Sequence, residues 1–264
     1  MRKNTVKEKL QAGQPSVGSW LSIGHSLSAE MMAHVGFDWL TIDTEHTATD
    51  FSILLPMLQA ISTTSTIPFV RVPWNDPWPI KRTLDLGAYG VVIPDIATAE
   101  EAKQAVGACR YPPVGYRGIG AVRGNLYGGP DYYEKANEEI MVVLMIESRE
   151  GVENAEEIMR VPGVDAVFIG PNDLAASLGV PLGLNNPHPE HKAAVARILE
   201  AGKKTGVPVG IHCQDADEVN MRMEQGFQWL ALAGDGRFLA GTAREQLRKV
   251  KLPARVQGAK GPAY

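Results

Sequence analysis

A (β/α)8 TIM barrel of one domain, with a short helix ahead of its first strand, is the fold this sequence predicts. Eight short apolar runs recur along the chain, helix-like stretches separate them, and 264 residues is about the usual length for such a barrel. Unbroken apolar runs, unlike alternating ones, mark strands covered on both faces. A doubly wound sheet is the second choice.

The elements follow in order. Thr5-Val6-Lys7-Glu8 has the form of a capping box, and Val6 and Leu10 stand four apart on one helical face, so the chain opens with a helix. The first strand is read at 17–23 (VGSWLSI), followed by the helical SLSAEMMAHVG, and the second at 38–43 (DWLTID), followed by DFSILLPMLQAIS. Strand 3 (PFVRV, 68–72) leads to DPWPIKRTLDLG, and strand 4 (GVVIP, 90–94) to TAEEAKQAVGACR. Residues 111–139, rich in Gly, Tyr and Pro, interrupt the alternation between strands 4 and 5 and are placed on the active-site side. Strand 5 (MVVLMIE, 141–147) leads to GVENAEEIMRV, and strand 6 (AVFIG, 166–170) to a helix opened by Gly170-Pro171-Asn172-Asp173. A long helix around HPEHKAAVARILEAGKKTG precedes strand 7 (PVGI, 208–211); DADEVNMRMEQG then precedes strand 8 (WLALA, 229–233). Gly36, Gly87, Gly206 and Gly226 stand just past helical segments, as C-caps do. No composition break marks a second domain, so residues 1–264 read as one, with 252–264 as a loose tail.

Composition narrows the function. Hydrophobic residues make up 44% and charged residues 21%, as in ordinary globular proteins. A net charge of −4 without a Lys/Arg stripe argues against nucleic acid as a partner. No apolar run reaches the roughly 18 residues of a membrane span, and the charged N-terminus lacks the apolar core of a signal peptide. Cys109 and Cys213 make neither a disulfide framework nor a CxxC motif, so the cytoplasm is the expected compartment.

Barrel chemistry sits at the C-terminal ends of the strands. There the sequence places Ser22 and His25 after strand 1, and Asp43, Glu45 and His46 after strand 2. Arg71 and Asp95 follow at strands 3 and 4, Glu147 and Asp173 at 5 and 6, and His212 at 7. Glu147 and Asp173 are one strand-plus-helix unit apart, which brings them side by side on neighbouring strands. Two carboxylates with few other hard ligands suit an octahedral divalent cation that keeps several waters. Asp173 could instead cap its helix, and Glu147 could pair with Arg149. His46 reads as a general base whose tautomer Asp43 fixes, or as an exposed loop histidine. Arg71 suits a carboxylate or a developing oxyanion, or a structural salt bridge to Asp43 or Glu45. The start of the GPND helix favours a substrate carboxylate. His188 and His191 are read as solvent-facing and the two cysteines as interior. Gly118-Ile119-Gly120 follows no strand and carries no nucleotide fingerprint. No lysine occupies a strand end, so Schiff-base chemistry is excluded and carbonyl chemistry would need a metal as electrophile.

GSWLSIGHSLSAEMMAHVGFDWLTIDTEH, FVRVPWNDPWPIKRTLDLGAYGVVIP, RYPPVGYRGIG, IESREGVENAEEI and GVDAVFIGPNDLAASLG closely resemble the HpcH/HpaI aldolases, class II pyruvate aldolases, over about residues 5–250. The resemblance implies a barrel assembled as a homo-hexamer, a dimer of trimers, with a helix exchanged between subunits. It implies Mg2+, Mn2+ or Co2+ held by Glu147 and Asp173, His46 supported by Asp43 as base, and Arg71 on the keto oxygen of pyruvate. The amides of Asn172 and Asp173, beside Gly170 and Pro171, would take the pyruvate carboxylate. Trp20, Met145 and His212 complete the expected substrate contacts. Met145 stands where known members carry Gln two residues before the metal glutamate, so a thioether replaces an amide. The GAVRGNLYGG segment also departs from close relatives.

The expected reaction is reversible cleavage of a 4-hydroxy-2-oxo acid to pyruvate, or hydroxypyruvate, and an aldehyde. Its rivals are an acyl-CoA lyase related to the citrate lyase β-subunit, which would want a basic CoA-binding surface, and a non-catalytic keto-acid-binding barrel.

Overall fold

The computed structural model describes residues 1–251, so the tail expected at 252–264 lies outside the described residues. The first half of the chain forms α1 (Thr5–Gln11), β1 (Ser16–Leu21), α2 (Ser26–Ala33), β2 (Trp39–Asp43), α3 (Phe51–Ile61), β3 (Ile67–Arg71), α4 (Pro77–Asp85), β4 (Gly90–Ile93) and α5 (Ala99–Cys109). Next come α6 (Val122–Gly128), α7 (Tyr132–Glu139), β5 (Met141–Met145), α8 (Arg149–Glu153), α9 (Ala155–Met159), β6 (Ala166–Ile169) and α10 (Pro171–Leu178). The chain continues with α11 (Pro189–Thr205), β7 (Val209–Cys213), α12 (Ala216–Gln225), β8 (Trp229–Gly234) and α13 (Asp235–Lys249). The strands close in sequence order into a parallel barrel, with β8 paired to β1, as the eight apolar runs predict.

Two packed layers hold it. Side chains alternate across each strand, so every second residue points inward. Trp39, Phe69, Val143, Phe168 and Trp229 fill the interior, and Val6 and Leu10 of α1 join the same cluster. The outward set, such as Leu40, Ile42, Val70, Val142 and Leu144, packs beneath the helices. At the centre Trp39 stacks on Trp229 with ring centroids 4.1 Å apart. Gly18 makes room for that stack: a Cβ there would overlap the Trp39 ring.

Local departures from the sequence reading have local causes. Asn4, not Thr5, caps α1: its side chain accepts from the Lys7 amide at 3.2 Å. Strands 4, 5 and 6 end one or two residues early because the chain bends into the loops that carry the functional groups. GVENAEEIMRV forms two short helices that break at Asn154, whose side chain donates to the Ala97 carbonyl at 2.9 Å. His191 is buried, with Nε2 2.9 Å from the Pro171 carbonyl, and does not face solvent.

The largest correction concerns 111–139. This stretch follows α5, so it lies at the N-terminal ends of the strands, opposite the catalytic side. Much of it is helical, as α6 and α7. There Arg2 donates to Tyr127 at 2.7 Å, the Asn4 amide donates to Glu139 at 2.8 Å, and Tyr127 packs edge-on against Tyr89.

Gly18→Ala is expected to destabilise the barrel by about 1–3 kcal/mol, because a methyl would push apart an interior with no spare volume. Urea unfolding should show a lower midpoint at unchanged slope; an unmoved midpoint would contradict this packing.

Candidate active site

Strand periodicity selects the groups at the barrel mouth, the C-terminal end of the strands. Trp39 and Thr41 point inward, and Asp43 continues that set; Ile67 and Phe69 are followed in the same way by Arg71. Asp43 and Arg71 are register partners on adjacent strands, so the two side chains stand together on the inner face. Met141, Val143 and Met145 set the phase that brings Glu147 inward one step past β5.

Arg71 organises the first group. Its Nε and Nη2 donate to the two oxygens of Asp43 at 2.9 and 2.8 Å, and Nη1 lies 3.1 Å from Glu45 Oε2. The guanidinium stacks over Trp20 at 4.7 Å. Burial disfavours the charge, but the hydrogen bonds and charge of Asp43 and the charge of Glu45 outweigh it and raise the Arg71 pKa. Bidentate pairing of this kind fixes the plane of the guanidinium. Among the described residues only Nε and Nη2 are used in hydrogen bonds, so N–H groups remain for a substrate. The structural salt bridge weighed for Arg71 is therefore present, and it is compatible with a substrate role.

His46 differs from expectation. Asp43 does not orient its ring: Asp43 Oδ1 accepts from the Glu45 amide at 3.0 Å and meets only the backbone amide of His46, at 3.5 Å. The imidazole Nε2 instead lies 3.7 Å from Glu45 Oε2, on a side chain that is 63% exposed. Glu45 thus links Arg71 to His46. Burial raises the Glu45 pKa; Arg71 and His46 oppose the rise, while Asp43 and Asp173 add to it.

Glu147 is buried, at 8% exposure. Burial pushes its carboxyl up to about 8, against the lowering effect of the Asp95 amide; the charges of Asp173 and Glu45 raise it further and Arg71 lowers it. Oε1 accepts from the Asp95 N–H at 3.0 Å. Arg149 is not its partner: that guanidinium pairs with Glu190 at 2.8 Å on the surface. Asp173 is not a helix cap either. Gly170 is the N-cap of α10, Pro171 opens the helix, and Asp173 lies exposed in its first turn.

Because the charge of Asp173 reaches both Glu45 and Glu147, the mouth gathers carboxylates faster than Arg71 can neutralise them. A hard divalent cation fits that surplus. Among the described residues no three His, Cys, Asp or Glu side chains form a ligand cluster, so Glu147 and Asp173 would leave most positions to water and substrate.

The remaining expected contacts divide. Trp20 and His212 line the inner wall, with ring centroids 6.3 Å apart. Burial, then Arg71 and Arg237, hold the His212 pKa down to about 4, so the ring is neutral. Its Nδ1 has no partner among the described residues. Met145 is 1% exposed, in the interior cluster with Trp20 and Phe168, and so packs under the site. His25 stays outside the constellation: its Nδ1 accepts from the Leu27 amide at 3.1 Å and caps α2. The sequence reading missed the Asp95 backbone contact, since no side-chain property announces an amide.

Comparison with known proteins identifies the family. Residues 16–241 match the family model for HpcH/HpaI aldolase/citrate lyase. A 5-keto-4-deoxy-D-glucarate aldolase of Klebsiella pneumoniae is 42% identical over 244 residues, covering 91% of this chain and 94% of the relative. A 4-hydroxy-2-oxo-heptane-1,7-dioate aldolase of Salmonella newport is 39% identical, covering 98% and 99%. The crystal structure of a family protein from Burkholderia cenocepacia J2315 superposes with a TM-score of 0.90 at 39% identity, covering 95% of this chain and all of the other. With its barrel, its strand-end acids and these relatives, the chain belongs to the HpcH/HpaI aldolase/citrate lyase family.

Proposed function

We propose that this class II aldolase cleaves and forms 4-hydroxy-2-oxo acids, releasing pyruvate or hydroxypyruvate and an aldehyde at the barrel mouth. The observation that carries the reading is the buried Glu147, crowded by Asp173 and Glu45 beside Arg71. Every lysine among the described residues lies on a helix or near a terminus. An amine that could form a Schiff base is thus missing from the strand ends.

Glu147 and Asp173 would hold the cation, Mg2+, Mn2+ or Co2+. When bound, it supplies Lewis acidity toward the oxygens of the 2-keto acid. Asn172 and Asp173 offer backbone N–H groups to the substrate carboxylate at the start of α10. His46 takes the proton of the 4-hydroxyl. The O–H electrons form the aldehyde carbonyl, the C3–C4 bond breaks, and its pair enters the C2–C3 bond as the keto π electrons move to oxygen; return of a proton to C3 of that enolate gives pyruvate. Arg71 faces that developing charge from a fixed position. Asp43 positions Arg71 and the amide of Glu45. Trp20 and neutral His212 wall the pocket.

An acyl-CoA lyase would need a basic surface for the CoA phosphates; Arg71 and Arg149 are paired with carboxylates, which leaves the exposed Arg237 as the cation near the mouth without an ion pair among the described residues. The proposed assembly is a homo-hexamer in the cytoplasm. Leu27 and Met31 of α2, Val35 just after it, and Leu239 and Leu247 of α13 are each at least 55% exposed, an apolar surface that a partner subunit would cover. Cys109 and Cys213 are free and buried, as in a reducing compartment. No helix among the described residues is long and apolar enough to cross a membrane.

Four outcomes test this reading. Cleavage of 4-hydroxy-2-oxo acids should vanish after exhaustive EDTA treatment and return with Mg2+, Mn2+ or Co2+. An aldehyde panel with pyruvate and hydroxypyruvate that gives no product would sink it, and Mn2+-dependent thermal stabilisation by pyruvate alone would then favour a binding barrel. His46→Gln should lower kcat by about 10²–10⁴-fold and change KM for the keto acid little; a KM effect alone would remove His46 from the proton transfer. Because the Glu147 pKa lies above its ordinary 4.5, its proton stabilises the metal-free fold at low pH, and that stabilisation is lost as pH rises through about 8. In EDTA, wild type should therefore lose stability relative to Glu147→Gln between pH 5 and 8, as measured by urea unfolding. A constant difference would mean the carboxylate stays charged throughout.

A further inference from the structure

We propose that Asp95 and Gly170 are positioning residues that fix which oxygen of Glu147 faces the cation. The inference rests on the reading of Glu147 as a cation ligand.

Two independent features grip the same carboxylate. On one side, the chain leaves β4 and turns at Asp95 with φ +54°, a left-handed conformation that side chains other than Asn and Asp rarely adopt. That turn aims the Asp95 N–H at Glu147 Oε1, 3.0 Å away. The Asp95 side chain is exposed and makes no hydrogen bond or ion pair among the described residues. Its contribution is therefore the backbone conformation that aspartate tolerates.

On the other side stands Gly170. Its φ of −87° and ψ of 98° are open to any residue, so conformation does not require glycine here. Space does. A Cβ at this position would overlap Glu147 Oε2 and lie 3.2 Å from the terminal methyl of Met145. No protein donor among the described residues reaches Oε2.

One oxygen is thus tied down by an amide and the other is left room by a missing side chain. The carboxyl group cannot rotate without losing the amide, so Oε2 is the oxygen presented. Met145 gains a role from the same geometry. Its methyl closes the apolar side of the space that Gly170 leaves, which a buried amide could do only with a partner of its own.

Mn2+ binding to the metal-free protein, read from the loss of the free Mn2+ signal in electron paramagnetic resonance, tests the idea without any turnover. Glu147→Gln checks the underlying site: wild-type affinity in that variant would refute the ligand reading itself. If Glu147→Gln loses Mn2+, the other variants decide the inference. Gly170→Ala should bind Mn2+ about 10-fold or more weakly, with a metal-free melting temperature close to wild type, since the flexible end of Glu147 can swing away. Asp95→Val, forced out of the left-handed region, should weaken binding similarly; Asp95→Ala serves if the valine variant does not fold. Asp95→Gly, which keeps the turn without strain, should retain wild-type affinity. Wild-type Mn2+ affinity in Gly170→Ala would overturn the role of Gly170. A loss in Asp95→Gly as large as in Asp95→Val would overturn the backbone role of Asp95 and make its carboxylate the active group.

Discussion

A carboxylate held inside the mouth of a closed apolar barrel is the constraint around which this molecule is arranged. Glu147 follows six mostly apolar residues and sits almost out of reach of water. Burying an unpaired charge is costly, and the group responds by shifting its pKa upward unless something compensates. The protein supplies one amide, from Asp95, and places the Asp173 and Glu45 charges close enough to make matters worse. An arrangement that raises the cost of its own charge is a poor way to stabilise a fold. It is a good way to create a demand for a cation, and metal binding there would return the free energy as site formation.

The acids on the other side of the mouth serve a different end. Asp43 takes two of the Arg71 donors, Glu45 adds an ion contact, and together they hold the guanidinium against Trp20. Replacing Arg71 by Lys would keep a charge but lose the fork, so the two are not equivalent here. Glu45 also touches His46, which places the exposed imidazole at the rim while its carboxylate neighbour stays inside. The mouth therefore has a buried carboxyl floor, a fixed guanidinium on its wall and a solvent-reaching imidazole. That division suits a reaction in which negative charge builds on a keto oxygen and one proton moves near the opening.

Much of this was legible in the sequence, for reasons that can be named. Eight unbroken apolar runs mark strands buried on both faces, and the first polar residues after them mark the mouth, so Asp43, Arg71, Glu147 and Asp173 could be placed together. Side-chain pairing was less legible. Asp43 next to Glu45 and His46 suggested an Asp–His contact, but strand register sets Asp43 opposite Arg71. Arg149 is near Glu147 in sequence and turns outward because Ser148 opens a new helix between them. Segment 111–139 was assigned to the wrong end because α5 already completes the crossover back to the strand N-termini, leaving the rest of the loop there. His191 looks polar by its neighbours, yet one helical face of α11 carries it inward to the Pro171 carbonyl. Backbone amides and missing side chains, such as those at Asp95 and Gly170, leave no compositional trace.

On the proposed reading, Glu147 makes the mouth a metal-dependent site for the enolate of a 2-keto acid. Exchange of the C3 protons of pyruvate in D2O, followed by the decay of its methyl signal in proton NMR, measures that step with no aldehyde present. Exchange is expected with the Mg2+-loaded protein, none above background after EDTA treatment, and none with Glu147→Gln at any Mg2+ concentration. Equal exchange rates in the stripped and loaded wild-type protein would contradict it.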